Sequence, residues 1–431
     1  VVYISNPVDE AYQSIGIYVP EEYLTCSKVN EKYDCQINSS GKKGLYSATN
    51  APLVFPVNTP GYAPMKAPTE YNYKTISNFI SQGIIYVFAG CRGRYSGGEN
   101  YSAGAPWGVT DLKSAIRFLR YNSKLIPGDL NRIYSFGMSG GGAQSCLMGV
   151  TGNSQLFTKY LEENGAAMKD ADGNEIKDNI KGSQCWCPIT NLDTADAAYE
   201  WNMGQYYTNA TRAEGTFTKQ LSSDLAYKYF EYVNELKLKD PSGNVLTLTE
   251  LNKGSYYDYL LGLIEQSLNN FLSDTTFPYD PSEGEFPPGP VPPLERKLST
   301  IYETPEEYIE SLNSDYSWVT YDSSSKKATI KSVGDFVKHC KLASKNVGAF
   351  DSFTKTAAEN YVFGISGENY SKHFSKIMSD LLTNNQATYS KLSNWDASYP
   401  EDYSQDLSKI DSMEISIEDR VSIYNPMYYL S

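Results

Sequence analysis

Residues 132–150 read RIYSFGMSGGGAQSCLMGV and carry the strongest signal for the fold. The apolar run RIYSF predicts a strand, and GGAQSCLMGV is competent to form a helix. Between them stands G-x-S-x-G, which places a serine on a tight strand-to-helix turn where only glycine lets the neighbouring backbones approach. The pattern predicts that Ser139 is a nucleophile. The five residues alone also fit a Gly-rich turn without a catalytic role.

The segments before this turn alternate between strand and helix patterns. Short buried strands are predicted at residues 14–20, 53–58 and 84–89. An amphipathic helix is predicted at residues 111–120. This alternation is typical of an α/β protein with a mostly parallel sheet wrapped by helices. The sequence NTPGY at 58–62 follows a strand, where hydrolases of this kind place an oxyanion donor. The backbone N–H of Gly140 and one from the Gly61–Tyr62 turn, assigned to Gly61, are therefore predicted to hold the oxyanion.

The composition excludes several classes of partner. The chain has 431 residues, with 37 basic and 51 acidic side chains and a net charge of −14. Without a basic stripe it does not fit nucleic acid or an anionic membrane surface. Its longest apolar run, at 83–90, has the length of a buried strand rather than of a membrane span. The start at Val1 without methionine predicts removal of an N-terminal segment, by signal processing or by design of the expressed sequence.

The cysteines point to export and the sequence predicts no cofactor. Cys26 and Cys35 flank a polar turn at a spacing that suits a hairpin disulfide, which favours an extracellular or cell-surface protein. Cys185 and Cys187 are predicted to share one face of a strand and to pack. No C-x-x-C pair is present, so no metal site is expected. The DADGN turn at 170–174 has calcium-loop spacing, but its later positions lack the required Gly and Glu, so a polar hairpin turn is predicted.

Residues 1–200 are predicted to form the core and 201–419 an inserted, mostly helical cap. The cap contains Tyr-rich helical stretches and a run rich in Pro, Gly and acid at 277–293, read as a surface loop. The chain is then predicted to return to the core at 420–431.

The two histidines do not fit the role of catalytic base. His339 and His373 both lie in helical cap segments, whereas the base of this fold follows the last core strands. A packed or solvated helix histidine is the better interpretation of each. The triad His and Asp are therefore not found in this sequence.

Four blocks of the sequence resemble bacterial tannases, which are α/β-hydrolases that cleave galloyl esters. They are AGCRGRYS at 89–96, residues 117–145 around the Gly-rich turn, CPITNLDTADAAYEW at 187–201 and NPMYYL at 425–430. The resemblance implies that Ser139 is the nucleophile. It also places Lys345 and Glu359 on the positions that bind the galloyl hydroxyls. The Glu359 carboxylate can accept from two adjacent phenol hydroxyls, and the Lys345 ammonium can donate to another ring oxygen. Without it, both would be read as surface charges.

The resemblance also implies a part that this sequence lacks. In tannases, core strands that carry the triad Asp, a further carboxylate facing the ring and the triad His follow the NP-x-x-YL block. A sheet without its closing strands exposes an unpaired edge. A C-terminal fragment of the same protein is therefore expected as partner, as a second polypeptide, as a tail or as residues outside this sequence.

Three functions remain open from the sequence. The first is a serine esterase acting on galloyl esters of plant polyphenols, and the second has the same mechanism on hydroxycinnamoyl esters such as ferulate. The third is a hydrolase-fold binding protein without catalysis, if the chain is complete.

Overall fold

The computed structural model describes residues 1–94, 104–192, 194–281, 301–340, 345–348, 350, 362, 372–411 and 423–430. It divides into two compact units. Unit 1 comprises 1–196, 348–386 and 396–431, and unit 2 comprises 197–347 and 387–395.

Unit 1 is built on a five-stranded, mostly parallel sheet, as the alternation of strand and helix patterns in the sequence predicts. The strand order is β1-β7-β6-β8-β9. Strand β1 pairs antiparallel with β7, and the other pairs are parallel. The sheet strands are β1 (Ile15–Tyr18), β6 (Leu53–Val57), β7 (Ile85–Ala89), β8 (Ile133–Met138) and β9 (Gly182–Trp186).

The remaining strands form three two-stranded hairpins. They are β2 (Leu24–Val29) with β3 (Lys32–Ile37), β4 (Lys42–Lys43) with β5 (Tyr46–Ser47), and β10 (Val319–Asp322) with β11 (Lys327–Ile330). The helices are α1 (Tyr73–Ile80), α2 (Trp107–Tyr121), α3 (Gly140–Val150), α4 (Thr158–Glu163), α5 (Ala195–Asn202), α6 (Phe217–Leu236), α7 (Ser255–Asp274), α8 (Pro305–Leu312), α9 (Val333–Cys340), α10 (Lys372–Tyr389), α11 (Tyr399–Asp411) and α12 (Pro426–Leu430).

Helix α2 is buried on nearly all sides, which explains its unusual polar partners. Arg92 donates from Nε and Nη2 to the two oxygens of Asp111, at 2.9 and 2.8 Å. Further along the helix, Lys113 Nζ and Arg117 Nε donate to the Asp178 carboxylate, at 2.7 and 2.8 Å. Buried charges need such partners, because an unpaired one loses its hydration without compensation.

The cysteine predictions have a mixed outcome. Cys26 and Cys35 face each other across β2 and β3 and form the predicted hairpin disulfide. The prediction that Cys185 and Cys187 share a strand face was wrong. Strand β9 ends at Trp186, and Cys187 is exposed with a φ of 38°, because the chain turns there.

The 170–174 segment folds as the predicted polar hairpin turn. Asp170 Oδ1 accepts from the N–H groups of Asp172 and Asn174, at 2.9 and 2.8 Å. Lys169 and Glu175 form the bridge that closes the turn. The Asp170 carboxylate is thus used by the loop's own backbone.

Two of the hydrophobic clusters among the described residues of unit 2 are centred on tryptophans. One surrounds Trp201, which packs against Tyr229 and Tyr256. The other surrounds Trp318, beside β10 and β11. Helix α6 begins after Thr216, whose side chain accepts from the Lys219 N–H and so caps the first turn.

The range 201–419, predicted as one cap, is divided differently in the structure. Unit 2 ends its main stretch at 347, and residues 348–386 and 396–431 cluster with unit 1. Most of the Pro-rich run at 277–293 lies outside the described residues, and only its beginning to 281 is described. None of the described helices has the length and apolarity to cross a bilayer.

Candidate active site

Ser139 is the single residue between the end of β8 and the start of α3. Its φ of 57° and ψ of −120° are a conformation that residues other than glycine rarely adopt. The backbone is held there on both sides. The Ser139 N–H donates to Trp186 O at 3.0 Å, and its C=O accepts from the Ala143 N–H at 2.9 Å. Such strain is concentrated at functional sites, where the surroundings over-determine it.

The glycines around Ser139 are required by contacts with backbone. A Cβ on Gly137 would lie 2.4 Å from Gly141 O, and one on Gly141 would lie 2.2 Å from Val57 O. On Gly142 it would lie 2.6 Å from Trp186 O. No side-chain rotation relieves a clash with backbone, so α3 packs on the sheet only because these positions are glycine.

The turn after β6 lies directly beside Gly140. A Cβ on Gly140 would lie 2.5 Å from Tyr62 N and 3.2 Å from Gly61 N. The Tyr62 N–H is already donated to Thr59 O at 2.9 Å, so Gly61 is the better oxyanion donor of the two. Gly140 itself is the first residue of α3, where backbone N–H groups point out of the helix and favour negative charge. The structure thus brings the two predicted oxyanion residues together.

The backbone of Arg94 and a buried polar chain support this turn, and sequence reasoning assigned neither a role. The backbone N–H of Arg94 donates to Tyr62 O at 2.9 Å, and its guanidinium Nη2 lies 3.4 Å from where a Cβ on Gly61 would stand. Thr59 Oγ1 donates to Gln144 Oε1 at 2.7 Å, and Gln144 Nε2 donates to the hydroxyl of Tyr424. The quoted sequence blocks contain Arg94 and Gln144, but nothing local marks their partners.

The NP-x-x-YL block is fixed next to α3 by further contacts. The Met427 N–H donates to Thr190 O at 3.3 Å, and Asn425 Nδ2 donates to Asn191 Oδ1 at 3.0 Å. The Tyr429 hydroxyl donates to the C=O of Ile423, two residues before the block, at 3.2 Å. These contacts hold the block against residues 190–191 of unit 1.

The predicted ring-binding residues are only partly described. Lys345 is exposed, and its backbone bonds to Tyr199 and Arg212 within unit 2. Glu359 lies outside the described residues, so its relation to Lys345 stays a prediction.

The described imidazole packs against a tryptophan ring. His339 is in the last turn of α9, with its ring 5.0 Å from that of Trp318. Burial lowers its pKa. This agrees with the predicted packed helix histidine. The side chain of His373 lies outside the described part, although its backbone belongs to α10.

Known structures resemble this chain over its full length. The tannase of Fusobacterium nucleatum is 27% identical with a TM-score of 0.68, and the match covers 100% of this chain and 80% of that one. A tannin acyl hydrolase solved as a mercury derivative is 25% identical with a TM-score of 0.67, over 100% and 78% of the two chains. A family model described as BD-FAE matches residues 46–223. The chain is a carboxylic ester hydrolase of the tannase and feruloyl esterase type.

Two further comparisons complete this result. The native tannin acyl hydrolase of Lactobacillus plantarum is 23% identical with a TM-score of 0.65, covering 100% of this chain and 78% of that one, a likeness of fold. No curated protein sequence matches. The resemblance to tannases and the predicted α/β-hydrolase fold class are thus confirmed, and the comparisons favour an esterase over the non-catalytic binding protein.

Proposed function

We propose that this esterase hydrolyses galloyl esters of plant polyphenols through an acyl-enzyme on Ser139. The observation that carries the proposal is the strained Ser139 between β8 and α3, with Gly140 and Gly61 beside it. The Ser139 Oγ attacks the ester carbonyl and gives its proton to an imidazole. The N–H groups of Gly140 and Gly61 stabilise the oxyanion, the alcohol leaves, and water then releases gallate.

Labelling with a fluorophosphonate tests the nucleophile, because the reagent forms an adduct only with an activated serine. We expect one adduct, on Ser139, and none after Ser139→Ala. The exposed Ser123 offers a matched control, and Ser123→Ala should label like the unmodified protein. Labelling that persists in Ser139→Ala would move the nucleophile elsewhere.

The galloyl preference rests on Lys345 and Glu359, the two ring-binding residues that the resemblance implies. One structure in the comparison is a tannin acyl hydrolase in complex with ethyl gallate, which supports a galloyl substrate for this chain. We expect Lys345→Ala and Glu359→Ala to lower kcat/KM by about 10-fold or more for methyl gallate, since each removes a charged hydrogen-bond partner. Methyl benzoate, without hydroxyls, should lose little. The exposed Lys331→Ala is the control, and equal losses on both esters would contradict the assignment.

A hydroxycinnamoyl substrate is the second candidate, favoured by the BD-FAE match over residues 46–223. Comparing methyl gallate with methyl ferulate separates the two. A tenfold preference for ferulate, equivalent to about 1.4 kcal/mol in the barrier, would reverse the order.

The imidazole and its carboxylate are proposed to come from a further segment of the same protein that pairs with β9. Within the described residues β9 pairs on one side only, with β8, and Trp186 is 47% exposed. A cleft of about 410 Å³ opens there, lined by Phe136, Gln184 and Trp186 among others. Unpaired edges and exposed aromatic side chains are features that proteins normally cover.

Comparing labelling of this chain alone with labelling of the protein that includes the following segment tests this partner. The longer protein should label Ser139 at least about 100-fold faster, since the base activates the hydroxyl. Equal rates would show that a residue of this chain supplies the base.

The disulfide between Cys26 and Cys35 supports an extracellular or cell-surface location. In protein isolated from its host, Cys26 and Cys35 should resist alkylation until a reductant is added, which would confirm the disulfide there. Alkylation of both thiols without a reductant would contradict export.

A further inference from the structure

The backbone of residues 345–347 is held by three side chains of unit 2. The Lys345 N–H donates to the Tyr199 hydroxyl at 3.1 Å. The Lys345 C=O accepts from Arg212 Nη1 at 2.9 Å. Two residues on, the Val347 N–H donates to Thr211 Oγ1 at 3.2 Å, and Val347 is itself buried. An exposed lysine is thus attached to a fixed backbone.

The central contact of the three depends on a buried ion pair. Arg212 Nε and Nη2 donate to the two oxygens of Glu200, at 2.8 and 2.5 Å, and both residues are at most 2% exposed. Ser222 Oγ donates to the same carboxylate at 2.5 Å. Because Glu200 occupies one edge of the planar guanidinium, the remaining Nη1 is directed at the Lys345 carbonyl.

The ion pair is also fitted tightly to its surroundings. A Cβ on Gly204 would lie 1.7 Å from Glu200 Oε2 and 2.7 Å from Arg212 Nε. The guanidinium carbon lies 5.7 Å from the centre of the Tyr199 ring. The anchoring residues stand on α5, α6 and the short helix Ala210–Arg212, so they cannot shift independently. Sites built on regular elements hold their geometry more closely than sites built on loops.

A buried ion pair is weak evidence for stability, since its desolvation offsets most of its attraction. Its geometry is better explained by what it holds. We propose that Tyr199, Thr211 and the Arg212–Glu200 pair act as positioning residues that fix residues 345–347, so that the Lys345 ammonium meets a hydroxyl of the substrate ring. This set of contacts is called the 345–347 clamp. The inference rests on the proposed role of Lys345 in binding the ring.

The variant Tyr199→Phe/Thr211→Val removes both hydroxyl acceptors and leaves the ion pair in place. We expect the KM for methyl gallate to rise about 10-fold and kcat to stay within about twofold, since a mispositioned lysine weakens ground-state and transition-state binding alike. The kcat/KM for methyl benzoate should not change. Thr211→Ser keeps the hydroxyl and should keep the KM. Tyr316→Phe, on an exposed tyrosine of unit 2, is the matched control for loss of a hydroxyl.

A double-mutant cycle separates positioning from a general structural effect. In a Lys345→Ala background the Tyr199→Phe/Thr211→Val pair should add less than about twofold to the KM, because the clamp acts only through Lys345. Full additivity, or equal losses on gallate and benzoate, would overturn the clamp. If Lys345→Ala loses activity on gallate specifically but Tyr199→Phe/Thr211→Val leaves the KM for methyl gallate unchanged, the clamp alone would be overturned. Lys345→Ala without such a loss would overturn the proposed role of Lys345 and the clamp with it.

Discussion

Replacing Gly140 by alanine tests the oxyanion geometry most directly. The new Cβ would lie 2.5 Å from Tyr62 N and 2.7 Å from Thr59 O. Side-chain carbons do not approach such atoms within 3.0 Å, so the turn at Pro60–Tyr62 must move by about 0.5 Å. An oxyanion donor works only over a range of about 0.4 Å, so this shift removes the contribution of Gly61. We expect kcat to fall about 100- to 1,000-fold, with KM nearly unchanged, because this contact forms in the transition state.

Initial rates on methyl gallate, measured with the protein in the form that turns over esters, give both constants. Gly262→Ala is the control, since nothing lies within 4 Å of a Cβ at that position in α7. It should keep kcat and gain up to about 1 kcal/mol of stability from its helix propensity. Crowding at Gly140 should cost about 1–3 kcal/mol, which thermal unfolding measures. A folded Gly140→Ala protein with kcat within threefold of the original would refute the oxyanion assignment.

Three further predictions concern stability. Asp178→Asn leaves Lys113 buried without its anion and should cost about 3–5 kcal/mol in urea unfolding; a cost below 1 kcal/mol would show the pair to be dispensable. Burial alone would raise the pKa of Asp178, but Lys113 and Arg117 outweigh it and lower that pKa, so its stabilising contribution is complete above the ordinary carboxyl value of 3.8 and is lost as the pH falls below it. Because the pair is buried, 1 M salt should not screen it, and we expect salt to leave the pH midpoint of acid unfolding unchanged. A midpoint that moves to higher pH in 1 M salt would show that the pair is accessible to solvent. Tyr424→Phe removes the partner of Gln144 and should cost about 1–3 kcal/mol, and an unaltered urea midpoint would argue against the polar chain.

The Gly-rich turn around Ser139 could be predicted from sequence because its structural requirements are local. Strand β8, the turn and α3 follow one another in the chain, and the glycines that the backbone contacts demand are the ones in the pattern. The adjacent Gly61 could be placed only because the fold class fixes which strand lies beside β8 in the sheet. That strand is β6, and the turn that contains Gly61 follows it. A motif is readable when its members are neighbours in sequence or are brought together by a general rule of topology.

Helix α2 shows what the sequence could not reveal. Its charged residues Asp111, Lys113 and Arg117 suggest exposure to solvent, yet all three are buried. Their partners Arg92 and Asp178 lie 19 residues before Asp111 and 65 residues after Lys113 in the chain. No periodicity within the helix carries that information, because the compensation for a buried charge comes from another element.

The same reason explains why the resemblance could propose Lys345 as a ring-binding residue but could not reveal the contacts that hold its backbone. A family resemblance assigns the position of a side chain that meets substrate, but Arg212 holds Lys345 from 133 residues away through a backbone carbonyl. Backbone acceptors are the same at every residue, so they leave no mark in the sequence of the segment that they fix. Substrate selection by an exposed lysine nevertheless depends on such contacts, since a long flexible side chain discriminates only when its backbone is held. Specificity in this esterase should therefore respond to changes in buried residues that touch no substrate.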